Sequence, residues 1–185
     1  VISHLDGMDV SGYEKIVITC YTGQTAAFAT SLARMAGYNA FSLKWGMCSW
    51  NPATSQSWPG NIGNVAVGNS NWKFPAAPAT LVEFGEPTLE STAETGEEIL
   101  AERVAALLAG GFSKISNADV LASPANYFIN NYWAEEDNAH YGHIVDAYRI
   151  LPLSLAGGEY KYLNQASTIV TYCWTGQTSS MMTAY

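Results

Sequence analysis

Lys15–Thr30 reads KIVITCYTGQTAAFAT, and Thr168–Thr183 reads TIVTYCWTGQTSSMMT. Half of the sixteen aligned positions are identical, and most others exchange apolar for apolar or small for small. The two cysteines, Cys20 and Cys173, stand 153 residues apart. That spacing is the length of a domain plus a linker, too long for a solenoid repeat, so the chain carries a tandem duplication. The copies are used differently. A long segment follows the first copy, and a long segment precedes the second. The expected organisation is therefore the back half of one unit over residues 1–51, a linker over 52–93, and the front half of a second unit over 94–185.

Working outward, Ile16–Thr19 is a short apolar, partly β-branched run and predicts a buried strand. Thr25–Ala36 is Ala-rich, with Leu32 and Met35 on one side, and predicts a helix stopped by Gly37. Ala40–Leu43 predicts a second strand. Residues 51–78 cluster Asn, Pro, Gly, Ser and Trp without a period, which predicts loop. Glu94–Leu108 predicts the clearest helix, with Ile99, Val104, Leu107 and Leu108 on one face and Gly110–Gly111 as its stop. Tyr127–Ile129, Ile144–Tyr148 and Ile169–Tyr172 complete the expected strands. Strands alternating with helices predict an α/β sheet, mainly parallel.

The bulk composition narrows the partners. The chain has 185 residues, 48% hydrophobic and 13% charged, enough apolar material for a core. Eight Lys+Arg against sixteen Asp+Glu give a formal net charge of −8. No basic run exists to release counterions from a phosphate backbone, so neither nucleic acid nor an anionic membrane is expected as partner. No stretch approaches the roughly 20 apolar residues of a membrane span, since ILAERVAALLAGGF is interrupted by Glu102 and Arg103. The opening VISHLDGMDV lacks a charged region followed by an apolar one, so no signal peptide is read there. A polar surface rich in Asn, Ser, Thr, Gln, Tyr and Trp favours an exported or periplasmic location over a cytoplasmic one, though the compartment stays open. Three widely spaced cysteines, Cys20, Cys48 and Cys173, form no CxxC pair and no disulfide framework.

The repeated element, C-[YW]-T-G-Q-T-[AS] between a strand and a helix, has a chemistry. A loop that wraps a cysteine sulfur and then enters a helix turns several backbone N–H groups toward it, and the helix N-terminus adds the positive end of its dipole. Both favour the thiolate, the nucleophilic form of cysteine. Gly23 and Gly176 permit backbone that a side chain would forbid, and Thr25 and Thr178 are placed as hydroxyl donors or helix caps. A lone cysteine at a strand end is more often a buried small hydrophobe. Two copies in the same context argue for the chemical reading.

IVITCYTGQTAAFATSLARMAGYNAFSLKWGMCSW resembles the second half of a rhodanese domain: strand, C-x-x-G-x-[RTS] loop, helix, a Gly-[YF]-x-x-[VA]-x-x-Leu-x-x-Gly strand and a closing Trp. ISNADVLASPANYFINNYWAEEDNAHYGHIVDAYRILP resembles the first half of one, with NYFINNYW at the family's x-Tyr-Phe-Ile-x-Asp-x-Arg and GHIVDAYRILP at its Gly-His-Ile-Pro-Gly-Ala-x-x-Ile-Pro. Together these cover most of residues 15–51 and 94–185. The resemblance implies a rhodanese-like α/β fold, a mainly parallel sheet flanked by helices. It implies Cys20 and Cys173 as persulfide-forming nucleophiles. Around them, Tyr21, Thr22, Gly23, Gln24, Thr25 and Ala26, and Trp174, Thr175, Gly176, Gln177, Thr178 and Ser179, would cradle the transferred sulfur. It implies small sulfur-donor and thiol-acceptor molecules as partners, with no cofactor and no metal.

The departures from that family are specific. Its loops often carry Arg or Lys; here the positions are Tyr, Thr, Gln and Thr. Asn131 and Trp133 stand at the family's Asp and Arg, a pair that ties strand to loop. Val145–Asp146 replaces Pro-Gly. Lys44, after the second strand, could supply the missing loop charge, although a solvated lysine is the commoner case. His140 and His143 with Glu135 and Glu136 fit no strong metal template. Cys48 reads as a packed thiol rather than a resolving cysteine, and Trp45, Trp50, Trp58 and Trp72 as core and loop packing rather than a ligand platform.

Two half-units could close as one circularly permuted composite domain, or as a homodimer by domain swapping. Trimming from a longer two-domain protein is the duller origin. The first functional reading is a rhodanese-like sulfurtransferase working through a cysteine persulfide; the alternative is a non-catalytic binding or redox-sensing module. Cysteine-dependent phosphatases need an Arg closing the loop, where Thr25 and Thr178 stand instead.

Overall fold

The structure is a computed structural model and describes residues 2–185. In chain order its elements are α1 (Ile2–Asp6), β1 (Ile16–Ile18), α2 (Gln24–Met35), β2 (Ala40–Ser42), β3 (Trp72–Lys73), α3 (Gly96–Gly110), α4 (Asn117–Ala122), β4 (Phe128–Asn131), α5 (Glu135–Tyr141), β5 (His143–Ile144), β6 (Ile169–Tyr172) and α6 (Gln177–Ala184). The class is mixed α/β: β1–β2 and β4–β6 are parallel pairs, and β3–β5 is an antiparallel pair. Among the described residues no helix is long and apolar enough to cross a membrane.

The chain divides into two compact units that cut across the sequence halves. The first runs to Ile62 and adds Glu90–Ser113 and Thr175–Tyr185. In it, Ile16, Ile18 and Ala40 of the β1–β2 pair pack with Leu5, Ala33 and Tyr38. The opposite sheet face stays open: Val17 and its register partner Phe41 are 59% and 41% exposed. Helix α2 buries Ala26, Ala27, Ala29 and Leu32, and both α3 and α6 pack against it. Helix α3 opens with a capping box, in which Thr95 and Glu98 satisfy each other's backbone N–H groups. Of its expected apolar face only Val104 is buried, while Leu108 is 39% exposed.

The second unit comprises Gly63–Leu89 and Lys114–Trp174. Strand β4 lies at its centre, with all four residues buried. β6 pairs with one edge, and Tyr148 bridges Asn130 on the other. The amide of Asn130 explains a buried polar side chain there: its Oδ1 accepts the Ile150 N–H at 2.8 Å and so pins the passing chain. The core gathers Val120, Leu121, Ile129, Ile144 and Ala147.

Several expectations are corrected. The strand expected over 144–148 is cut to His143–Ile144 because Asp146 takes a positive φ of 59° and the Ala147 N–H closes a turn on the Ile144 carbonyl. The loop expected over 51–78 contains two 3-10 turns, each with proline at its start, and strand β3. Three of the four tryptophans expected in core or loop packing are substantially exposed: Trp45 (48%), Trp50 (66%) and Trp58 (41%). Among the described strands β4 pairs with β6, and β1 with β2.

β1 and β6 are copies of one strand, and their pairings use opposite edges. Backbone N–H and C=O groups of a strand alternate between its two edges. Ile16 donates to Asn39 and Ile18 accepts from Leu43, so these residues bond on the β2 side. In the second copy Thr168 accepts from Phe128 and Tyr172 from Tyr132, so Thr168, Val170 and Tyr172 bond on the β4 side. Their counterparts in the first copy are Lys15, Val17 and Thr19. Overlaying the copies therefore puts β4 and β2 on the two sides of the cysteine-bearing strand, all parallel.

Candidate functional site

Cys20 follows the C-terminal end of β1, the end where parallel α/β sheets place their ligands. Gly23 is the N-cap of α2, in the left-handed region at φ 87°. That turn aims two amides at the half-buried sulfur: the Gly23 N–H donates to Cys20 Sγ at 3.2 Å and the Ala26 N–H at 3.4 Å. A sulfur anion here gains two N–H partners and the start of a twelve-residue helix without any charged side chain. Because glycine occupies both N-cap positions, Thr25 and Thr178 lie two residues too far along to cap. Tyr21 is 63% exposed, Thr22 half-buried, and Thr25 exposed at the loop surface.

The segment after β2 holds this loop from behind. The Met47 N–H donates to the Cys20 carbonyl and the Cys48 N–H to the Tyr21 carbonyl, both at 2.9 Å. With these carbonyls bonded backward, the loop amides are left for the sulfur. Gly46 makes the approach feasible. A Cβ there would stand 2.2 Å from the Cys20 carbonyl oxygen and 2.7 Å from the Gly23 nitrogen, and φ is 57°. Trp45, also at positive φ (60°), turns the chain into it.

The conserved loop glutamines work across the repeats. Gln177, buried at the start of α6, accepts the Trp45 N–H at 2.9 Å and donates to Ser42 Oγ and the Leu43 carbonyl, each at 2.9 Å. Gln24 reciprocates by donating to the Thr175 carbonyl at 2.7 Å. Gly23 and Gly176 face these amides closely: an added Cβ would meet Gln177 Nε2 at 2.7 Å and Gln24 Nε2 at 2.5 Å. The supporting roles of Gly46 and Trp45 were missed in the sequence. The signal for the glutamines was present, since Gln survives in both copies while the helices behind it diverge.

The second cysteine loop begins in the second unit. Cys173 is half-buried and follows β6. Trp174 stacks on Trp133 with ring centroids 4.4 Å apart, meets Tyr141 edge-on, and donates its Nε1–H to Asp137 at 3.1 Å. Trp133, two residues beyond β4, thus joins the end of β4 to the loop by an aromatic stack. Tyr172 is largely buried and accepts the Ile144 N–H; burial pushes its hydroxyl well above the usual tyrosine range. In the first unit, Gly176 is the left-handed cap of α6, Thr175 Oγ1 accepts the Gln177 N–H, and the buried Ser179 donates to the Gly176 carbonyl.

Lys44 does not enter the Cys20 loop's hydrogen bonds. Its ammonium sits 4.8 Å from the centre of the Trp45 ring. It lines, with Gln177 and Thr178, a cleft of about 450 Å³ to which neither cysteine contributes. Cys48 donates its S–H to the Trp45 carbonyl. His143 is buried with Nδ1 at the Ile144 carbonyl, and His140 packs on the Tyr141 ring. Among the described residues no group of three His, Cys, Asp or Glu side chains is placed to hold a metal ion.

No family model, no curated protein and no solved structure matches this chain.

Proposed function

We propose that the chain is a rhodanese-like sulfurtransferase in which a cysteine thiolate carries sulfane sulfur as a persulfide. The observation that carries the reading is the pair of amides, Gly23 and Ala26, donating to Cys20 Sγ at the C-terminal end of a parallel strand. The overlaid strand order, with the cysteine strand between β4 and β2, supports a mainly parallel rhodanese-like sheet as its frame. In the first step the thiolate attacks the outer sulfur of the donor. A new S–S bond forms, the donor's S–S bond breaks, and the donor leaves with the electron pair. An acceptor thiolate or cyanide-like nucleophile then attacks the outer persulfide sulfur, and Cys20 leaves as the thiolate. No cofactor, metal or net oxidant enters this balance. Donor and acceptor are small sulfur compounds. The residues assigned to the cradle are Tyr21 to Ala26 and, in the second copy, Trp174 to Ser179 around Cys173.

A second reading, a non-catalytic rhodanese-like module for binding or redox sensing, is favoured by one observation. The loops carry no cation, and Lys44 rests on Trp45. Intact-mass spectrometry after brief thiosulfate or polysulfide treatment separates the two. Sulfur transfer predicts a gain of one sulfur atom, reversed by a thiol and abolished by Cys20→Ser or Cys173→Ser. A folded sample that takes up no sulfur leaves the binding module.

A further inference from the structure

We infer that the open edge of β1 is a docking edge for one parallel strand of the β4 type. The inference goes beyond sulfur transfer and does not depend on it. Among the described residues β1 has a single strand neighbour, β2. Ile16 and Ile18 spend their backbone groups on that side, which turns the N–H groups of Val17 and Thr19 to the other edge. An unpaired parallel edge of β-branched residues is a template for a further strand.

The repeat identifies what fits. In the second copy, the residues equivalent to Val17 and Thr19 are Val170 and Tyr172, and they face β4. One strand sequence, I-V-[IT]-[TY], thus accepts β4 on the edge that its other copy leaves open. The burial pattern agrees. β4, flanked on both edges, is buried at all four residues, whereas no residue of β1 is fully buried and Val17 is exposed. Val17, at 59% exposure, and Phe41 beside it lie on the surface that a further strand and its flanking chain would begin to cover. The occupant is therefore an extended, mostly apolar and aromatic segment patterned like Tyr127–Tyr132, running parallel to β1.

The probe is a synthetic peptide with the sequence of residues 124–133, PANYFINNYW, added to the full chain. Amide hydrogen exchange read residue by residue should slow by about tenfold or more at Val17 and Thr19. Ile16 and Ile18, already bonded to β2, should change little. A scrambled peptide should protect neither. Val17→Pro removes a donor that the β1–β2 ladder does not use, so this chain should fold and lose the protection. No slowing at Val17 and Thr19, equal slowing by the scrambled peptide, or slowing confined to β4 and β6 would each overturn the proposal. Undiminished binding to a folded Val17→Pro chain would do the same.

Discussion

The indole of Trp174 lies flat on that of Trp133, with centroids 4.4 Å apart and planes 16° from parallel. This stack connects the residue after Cys173 to the residue two beyond β4. Trp133 is 8% exposed, and its Nε1–H has no hydrogen-bond partner. The contact is therefore held by ring area and not by the polar edge. Trp133→Ala should cost about 3–5 kcal/mol of stability in urea unfolding. Trp133→Phe keeps a ring on Trp174 and removes a buried donor that bonds nothing, so it should cost much less, about 1 kcal/mol. Equal losses would mean that the indole nitrogen matters.

Gly46→Ala tests how the first loop is held. The added methyl would collide with the Cys20 carbonyl and keep an L-residue at positive φ. The expected outcome is a loss of about 2 kcal/mol or more. Faster hydrogen exchange at Gly23 and Ala26, the amides that face the sulfur, should accompany it. An unchanged loop would mean that the turn after β2 does not press on it.

Gln177→Ala removes three part-buried hydrogen bonds from the junction of β2 and the Trp45 turn. A cost of about 1–3 kcal/mol is expected. Gln24→Ala removes a single bond to the Thr175 carbonyl and should cost less, about 1 kcal/mol. Thermal or denaturant unfolding of the two variants checks the order.

Tyr172 predicts an alkaline effect. Burial raises its hydroxyl pKa above the ordinary value of 10.0, so at high pH the folded chain keeps a proton that the unfolded chain releases. The stabilisation is fully present below about pH 10 and is lost as pH rises beyond it. Unfolding free energies measured from about pH 8 to about pH 11 should fall more steeply for the wild type than for Tyr172→Phe. Parallel curves would show that Tyr172 ionises as freely folded as unfolded.

Cys20→Ser and Cys173→Ser assign the working loop. Under the proposed reaction, one variant keeps the thiol-reversible sulfur adduct and the other loses it in intact-mass spectra. An adduct of equal size in both, and none in the double variant, would give each loop a share.

Short-range features were legible in the residues. The β-branched runs at 16–18 and 169–172 form strands, Ala-rich 24–35 forms a helix, and glycine turns each loop into its helix. These depend on neighbours a few residues away. The missed elements have local causes that a periodic search does not register. Helix α5, EEDNAHY, has no apolar stripe, and its first-turn acids suit a helix N-terminus. The strand expected beyond Ile144 ends because Asp146 adopts a left-handed turn.

By itself the sequence established a duplicated strand–cysteine-loop–helix unit, two cysteines in matching loops and an α/β pattern. Each of those follows from side-chain type and spacing within about twenty residues. Only the tertiary structure decided that β6 takes β4 on one edge while β1 takes β2 on the other. It alone decided that Gly46 must be bare beside Cys20, and that Gln177 of one copy braces the turn behind the other's loop. Such choices join residues from 24 to 132 positions apart. They are settled by which backbone groups find partners and which rings and methylenes fit together, and no local pattern encodes that.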